Sequence, residues 1–106
     1  ESAKQVHIAD AVYDYIVDLV DATRSSELVE LGVSPRGALA LCRMAKAHAF
    51  VRGGDFVTPE DVYQVFDDVC AHRLVLSAKA RLGKITAREI TEQLRQQVPV
   101  PQVAQL

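Results

Sequence analysis

Three groups of residues in this sequence are of types that could do chemistry: two cysteines with three histidines, a Gly83-Lys84 pair, and an arginine inside "LGVSPRGALALC", Leu31 to Cys42. The first group would be metal or thiol chemistry. Cys42, Cys70, His7, His48 and His72 repeat neither a CxxC nor an HxxxH spacing, the patterns by which one loop or helix face offers a metal two ligands. Cys70 and His72 stand two positions apart, which on a helix is about 200° around the axis, so they cannot meet as nucleophile and base. Metal and thiol chemistry are therefore set aside. The cysteines read as unpaired small hydrophobes, because nothing else in the chain signals an oxidising compartment. The Gly83-Lys84 pair in "RLGKIT" fails as a phosphate loop at both ends. GxxxxGK[ST] would need glycine where Ala78 stands and a hydroxyl where Ile85 stands. It reads as a turn before a helix.

The arginine is harder to dismiss. Ser34 is placed to cap a helix and Pro35 to lead it, since a first-turn residue without an amide hydrogen loses nothing. Arg36 then falls at the second helical position, where the positive end of the helix dipole disfavours a cation by roughly 0.3 to 1 kcal/mol. An anion placed there reverses that sign: free backbone amides and a guanidinium can donate to the same phosphate oxygens. A solvated Arg36, or one paired with Glu27 or Glu30, satisfies the same residues, and the spacing alone leaves these alternatives open.

The elements that must position Arg36 follow from composition and periodicity. The chain has 106 residues, 49% hydrophobic and 25% charged, enough for one domain with one core. Tryptophan is absent and Ala, Val and Leu recur, which favours closely packed helices. A formal charge of −2 argues against nucleic acid, whose duplex would demand a basic stripe. No signal peptide and no segment able to span a bilayer is legible, so no membrane is expected and the chain reads as a piece of a larger cytoplasmic protein.

Periodicity predicts an all-α fold, a small four-helix bundle over residues 1–98, followed by an extended or disordered tail over 99–106 whose prolines cannot continue a helix. The first helix buries Ile8, Val12, Tyr15, Ile16, Leu19 and Val20 and turns Asp10, Asp14, Asp18 and Asp21 outward; that acidic line reads as a solvated face. "RSSELVELG" is expected to be loop with one short helical turn. The second helix buries Ala38, Leu41, Cys42, Ala45 and Ala49, stops at Gly53-Gly54, and carries Arg36, Arg43, Lys46 and Arg52 on its polar side. The third starts with Thr58 and Pro59, has Glu60 and Asp61 in its first turn, and buries Val62, Val65, Phe66, Val69 and Cys70. "AHRLVLSAKARLGK" is expected to be an irregular link. Thr86 and Glu89 spell a capping box for a fourth helix with Ile90, Leu94 and Val98 inside. Bundles host many roles, so this architecture alone also fits a free-standing helical protein–protein interaction module.

The ordered set "LGVSPRGALALCRMAKAHAFVRGGDFVTPEDVYQVFDDVCAHRLVLS" resembles the C-terminal lid of MoxR-type AAA+ ATPases, in which an SPR segment opens one helix, VTPEDV opens the next and an HR-aliphatic segment follows. "DYIVDLVDATR" and "ITAREITEQLRQQVPVP" resemble the flanking parts, so the likeness covers nearly the whole chain. The resemblance implies that Arg36 is the sensor 2 arginine, reaching the terminal phosphates of ATP, with Ser34 and Pro35 setting the helix start. It implies a parent ATPase whose upstream core supplies the phosphate loop, the Mg2+ site and the first sensor, so that this fragment alone is not catalytic and binds nucleotide barely, if at all. It further implies a hexameric ring in which each lid meets neighbouring subunits, and chaperone-like work with von Willebrand factor A domain proteins. Gly37 departs from the alanine many relatives carry; the expected consequence is weaker helix stability with no effect on the chemistry.

Overall fold

The protein, described by a computed structural model over residues 6–102, builds five helices and one small sheet around a core of aliphatic side chains. Helix α1 spans Asp10–Ser25, α2 Pro35–Val51, α3 Pro59–Cys70, α4 Ala78–Leu82 and α5 Ala87–Gln97; strand β1 is Val29–Leu31 and β2 Val75–Leu76. The architecture is mostly helical, 66%, so the expectation of an all-α four-helix bundle needs two corrections.

The first correction is the antiparallel pair β1–β2, in which Val29 faces Leu76 and Leu31 faces Val75, with an irregular step between them. The residues expected to form loop or a helical turn are thus partly strand. The "irregular link" after α3 instead holds a 3-10 turn over Ala71–Arg73, then β2, then α4. Strands of two and three residues are too short to show alternation, and their pairing across some forty residues is a tertiary event that local sequence does not announce. The second correction is α4, a single turn and a half whose cap Ser77 accepts the Ala80 N–H at 3.2 Å. Gly83-Lys84 forms the turn between α4 and α5, with Lys84 in the left-handed region at φ 57°.

Helices α2, α3 and α5 start where their caps predict, while α1 begins after Ala9 without a side-chain cap. Ser34 accepts the Gly37 N–H, and Thr58 with Asp61 and Thr86 with Glu89 form reciprocal capping boxes. Each helix then turns one apolar stripe inward. Val12, Tyr15, Ile16, Leu19 and Val20 of α1 are buried, as are Leu41, Ala45 and Ala49 of α2. Val62, Val65, Phe66, Val69 and Cys70 of α3 meet Ile90 and Leu94 of α5 in the same core. The small residues of α2 let it pack closely, and Ala38 and Cys42 lie half-buried at the rim of the stripe. Both cysteines are free, as expected. Residues 6–8 run beside the α2–α3 connection: the His7 N–H donates to Asp55 O and the Val57 N–H to His7 O. Pro99 to Gln102 carry neither helix nor strand, and the rest of the expected tail, 103–106, lies outside the described residues.

Candidate functional site: the start of helix α2

The segment that leads into α2 is fixed before it reaches Arg36. Beyond β1 the chain passes so close to the end of α1 that a Cβ on Gly32 would stand 2.8 Å from Thr23 Oγ1 and 2.9 Å from the Arg24 backbone nitrogen. Only glycine fits there. Val33 follows with its side chain fully buried, and its backbone is held from α1: its N–H donates to Thr23 Oγ1 at 3.0 Å and its C=O accepts from Arg24 Nε at 3.1 Å. Ser34 caps at 3.1 Å through the Gly37 N–H, and Pro35 locks the first helical φ.

Arg36 emerges from this start exposed, with no hydrogen bond or ion pair among the described residues. The two acids that could have neutralised it are engaged elsewhere. Glu27 Oε1 accepts from Lys79 Nζ at 2.9 Å, a contact that lowers the Glu27 pKa, and Glu30 lies 3.8 Å from Arg81. The sequence of α2 contains no acidic residue at all, while Arg43 and Lys46 continue the cationic line along it. Arg52 does not belong to that line. It turns back onto Asp61, as described below.

Free backbone amides at this terminus are fewer than the sequence suggested. Pro35 has none, the Gly37 N–H is taken by the cap, and the Ala38 N–H goes to Ser34 O, which leaves the Arg36 N–H unpartnered within the first turn. A phosphate placed here would be held mainly by guanidinium groups. A second arginine passes close by, unforeseen from sequence: the aliphatic part of the Arg73 side chain, in the 3-10 turn after α3, lies over Gly37. A Cβ at Gly37 would meet Val33 Cγ1 at 2.7 Å and Arg73 Cδ at 3.0 Å. Gly37 is therefore a close-approach residue next to the site, and an alanine there would crowd its neighbours. That corrects the expectation of a mere loss of helix stability.

Beside Pro35 opens a groove of about 760 Å³ between α1 and α2. Val20, Ala38 and Cys42 line it, with exposed Tyr13, Val17 and Leu39 at its edges. At the far end of α2 the helix is clamped by a buried carboxylate. Asp61, 1% exposed, accepts from Arg52 Nε at 2.8 Å and Nη2 at 2.6 Å, from the Thr58 N–H at 2.8 Å and from Thr58 Oγ1 at 3.0 Å, and it meets His48 Nδ1 at 2.7 Å. Burial alone would raise its pKa. The Arg52 guanidinium, the Thr58 amide, His48 and the Thr58 hydroxyl outweigh that and hold the carboxyl well below the usual range. From the sequence Asp61 was legible only as a helix-dipole carboxylate; its partners come from residues that α2 and the following loop bring in.

Among the described residues no three His, Cys, Asp or Glu side chains gather as a metal would require. The thiols are no better as nucleophiles, since burial pushes Cys42 up and Cys70 up to about 12. What the start of α2 can do is present one exposed arginine, with a second nearby, to an anion carried by something else.

The comparisons with known proteins agree with that reading of an incomplete site. A family profile described as the AAA lid domain matches residues 21–94. Chaperone MoxR1 of Mycobacterium tuberculosis is 38% identical over 97% of the chain, and protein YeaC of Bacillus subtilis is 36% identical over 92% of it. The crystal structure of an ATPase candidate from Cytophaga hutchinsonii superposes with a TM-score of 0.86 over 94% of the chain, at 32% identity. In each case the chain spans about a third of the relative: 31% of YeaC, 30% of MoxR1 and 33% of the Cytophaga protein. No helix among the described residues is long and apolar enough to cross a membrane. The chain belongs to the AAA lid domain family and is a lid domain of the MoxR-type AAA+ ATPases.

Proposed function

We propose that this lid closes over ATP bound to an ATPase core elsewhere in the same protein, and that Arg36 is the sensor 2 arginine touching the nucleotide's terminal phosphates. The observation that carries the reading is the state of Arg36. It sits exposed at the second position of a fully capped helix, while Glu27 and Glu30 are taken by Lys79 and Arg81. A cation left there without a partner is unfavourable until an anion arrives. Bound ATP with its Mg2+ supplies the transferable phosphoryl group. Arg36 adds charge stabilisation at its outer oxygens, and Ser34 and Pro35 fix the direction from which the guanidinium reaches.

Leu39 and Arg43 follow Arg36 by three and seven residues, which puts them on the same face of α2. That face and the adjoining groove are then the side of the lid that meets the core. By itself the lid has too little to hold nucleotide. One charge-assisted contact contributes roughly 1.5 to 3 kcal/mol, whereas even millimolar affinity needs about 4. A ring assembly in which each lid meets neighbouring subunits, and a chaperone-like task with von Willebrand factor A domain proteins, extend the proposal from the lid family to the whole protein.

Arg36→Ala in the full-length protein tests the core of this reading. Arg36 makes no hydrogen bond or ion pair within the fold and its charge opposes the helix dipole, so the melting temperature should be unchanged or rise by a few degrees. ATP turnover should fall by roughly a thousandfold or more, as when an arginine finger is lost from other phosphoryl-transfer enzymes. Unchanged turnover removes the sensor assignment.

A further inference from the structure

The bonds that hold Val33 have a consequence for Arg36. Thr23 is fully buried in the last turns of α1, and its hydroxyl is used in both directions: it donates to Val20 O at 2.6 Å and accepts the Val33 N–H at 3.0 Å. With donor and acceptor both engaged, the hydroxyl has no rotational freedom left. The next residue, Arg24, donates its Nε to the Val33 C=O at 3.1 Å. Two successive residues of α1 therefore hold both polar backbone groups of Val33, and the chain at Gly32 passes α1 too closely to admit a Cβ.

Little slack remains between Val33 and Arg36. With the Pro35 φ fixed and Ser34 held by its cap, a displacement of Val33 is passed on to the Arg36 Cα with little slack to absorb it. We infer that Thr23 and Arg24 are positioning residues for Arg36, acting through the backbone of Val33, so that the end of α1 sets where the guanidinium points. The inference rests on the reading of Arg36 as a phosphate contact.

The test uses the full-length protein with Thr23→Val, Thr23→Ser and Arg24→Met, each alone and together with Arg36→Ala. Two readouts are taken: ATP turnover, and hydrogen exchange without nucleotide in the peptide covering residues 29–39. Thr23→Val keeps the shape and removes both bonds. It should speed exchange in that peptide and lower turnover by roughly 10- to 100-fold, the cost of misplacing a catalytic contact by about 1 Å. Thr23→Ser should return slow exchange and most of the turnover. Arg24→Met should act in the same direction and less strongly. In the Arg36→Ala background, Thr23→Val and Arg24→Met should cost no further turnover, because the residue they position is gone.

Loss by the same factor with and without Arg36 would mean a purely structural role and overturn the inference. Faster exchange with turnover unchanged would overturn it too. If Thr23→Val fails to fold, Arg24→Met decides alone, since that side chain is 47% exposed and lies outside the core. Arg36→Ala with full turnover is a separate outcome; it removes the phosphate reading itself, and this inference with it.

Discussion

Replacing Asp61 by Asn probes the buried carboxylate that ties the end of α2 to the start of α3. The Asn amide keeps an acceptor oxygen but turns an NH2 group toward Arg52, His48 and Thr58, all placed to donate. Breaking a buried ion pair typically costs 3 to 5 kcal/mol because one charge is stranded. Here the stranded partners are Arg52 and His48, 40% and 38% exposed, which recover water when Asp61 is neutralised. The cost should therefore lie at or below the bottom of that range, about 2 to 3 kcal/mol. In a domain of this size that corresponds to a fall of roughly 10 to 20 °C in melting temperature. The pH dependence carries a second signature. The folded pKa of Asp61 is depressed relative to an unfolded value near 3.9, so its contribution is fully present above about pH 4. It is lost as the pH falls from there through the folded pKa, because in that window the unfolded chain binds more protons. Thermal unfolding followed by circular dichroism between about pH 2.5 and 7 reads both effects. The parent should lose stability at the acid end more steeply than Asp61→Asn, and the gap between the two curves should narrow there. A variant that melts within about 3 °C of the parent at neutral pH, or one with the same acid slope, would refute the argument.

Two further substitutions test packing around the site and the core. Gly37→Ala adds helix propensity but drives a Cβ into Val33 Cγ1, which is buried and stiff, and Arg73 Cδ; overpacking should win by about 1 to 2 kcal/mol in chemical denaturation, and a stabilised variant would contradict the contact. Tyr15→Phe removes a buried hydroxyl that has no partner among the described residues, so stability should be unchanged or raised by up to about 1 kcal/mol. The same change should abolish the step of the tyrosine titration at highest pH, since burial, and then Tyr63, pushes the Tyr15 pKa up to about 12. A loss above about 1 kcal/mol would mean the hydroxyl is satisfied after all.

What could be read from the sequence was what is decided within one turn of chain. Ser34, Thr58 and Thr86 each cap where their types and following residues indicated, because a cap bond closes over three residues. The apolar stripes of α1 and α3 were legible for the same reason, as burial repeats with the helix itself. The misses are contacts between distant segments. Strand β1 exists only because β2 arrives some forty residues later to pair with it. Arg52 read as a polar-face cation because nothing near it in sequence shows that Asp61 will lie under it. At the site, Arg36 was visible through its clash with the helix dipole, whereas Arg73, Thr23 and Arg24 were not, since each reaches the start of α2 from another element.

Those distant contacts also constrain how the lid can work. At its start α2 is joined to α1 through Val33, with buried hydrogen bonds whose partners have no alternative. At its end it is joined to α3 through Asp61, which takes Arg52 and His48 together with the cap of the next helix. A helix pinned at both ends to different neighbours cannot swing on its own without breaking one of these buried sets, and between them it carries a close-packed stripe of Leu41, Ala45 and Ala49. Hinge motion needs a few residues free to change their backbone angles, and the segment from Gly32 to Pro35 is restrained by the close approach at Gly32, the bonds to Val33, the Ser34 cap and the fixed φ of Pro35. On the proposed reading of Arg36, the backbone that carries its guanidinium would approach or leave a nucleotide only as the whole lid moves, so that a contact with the phosphates would report the position of the domain.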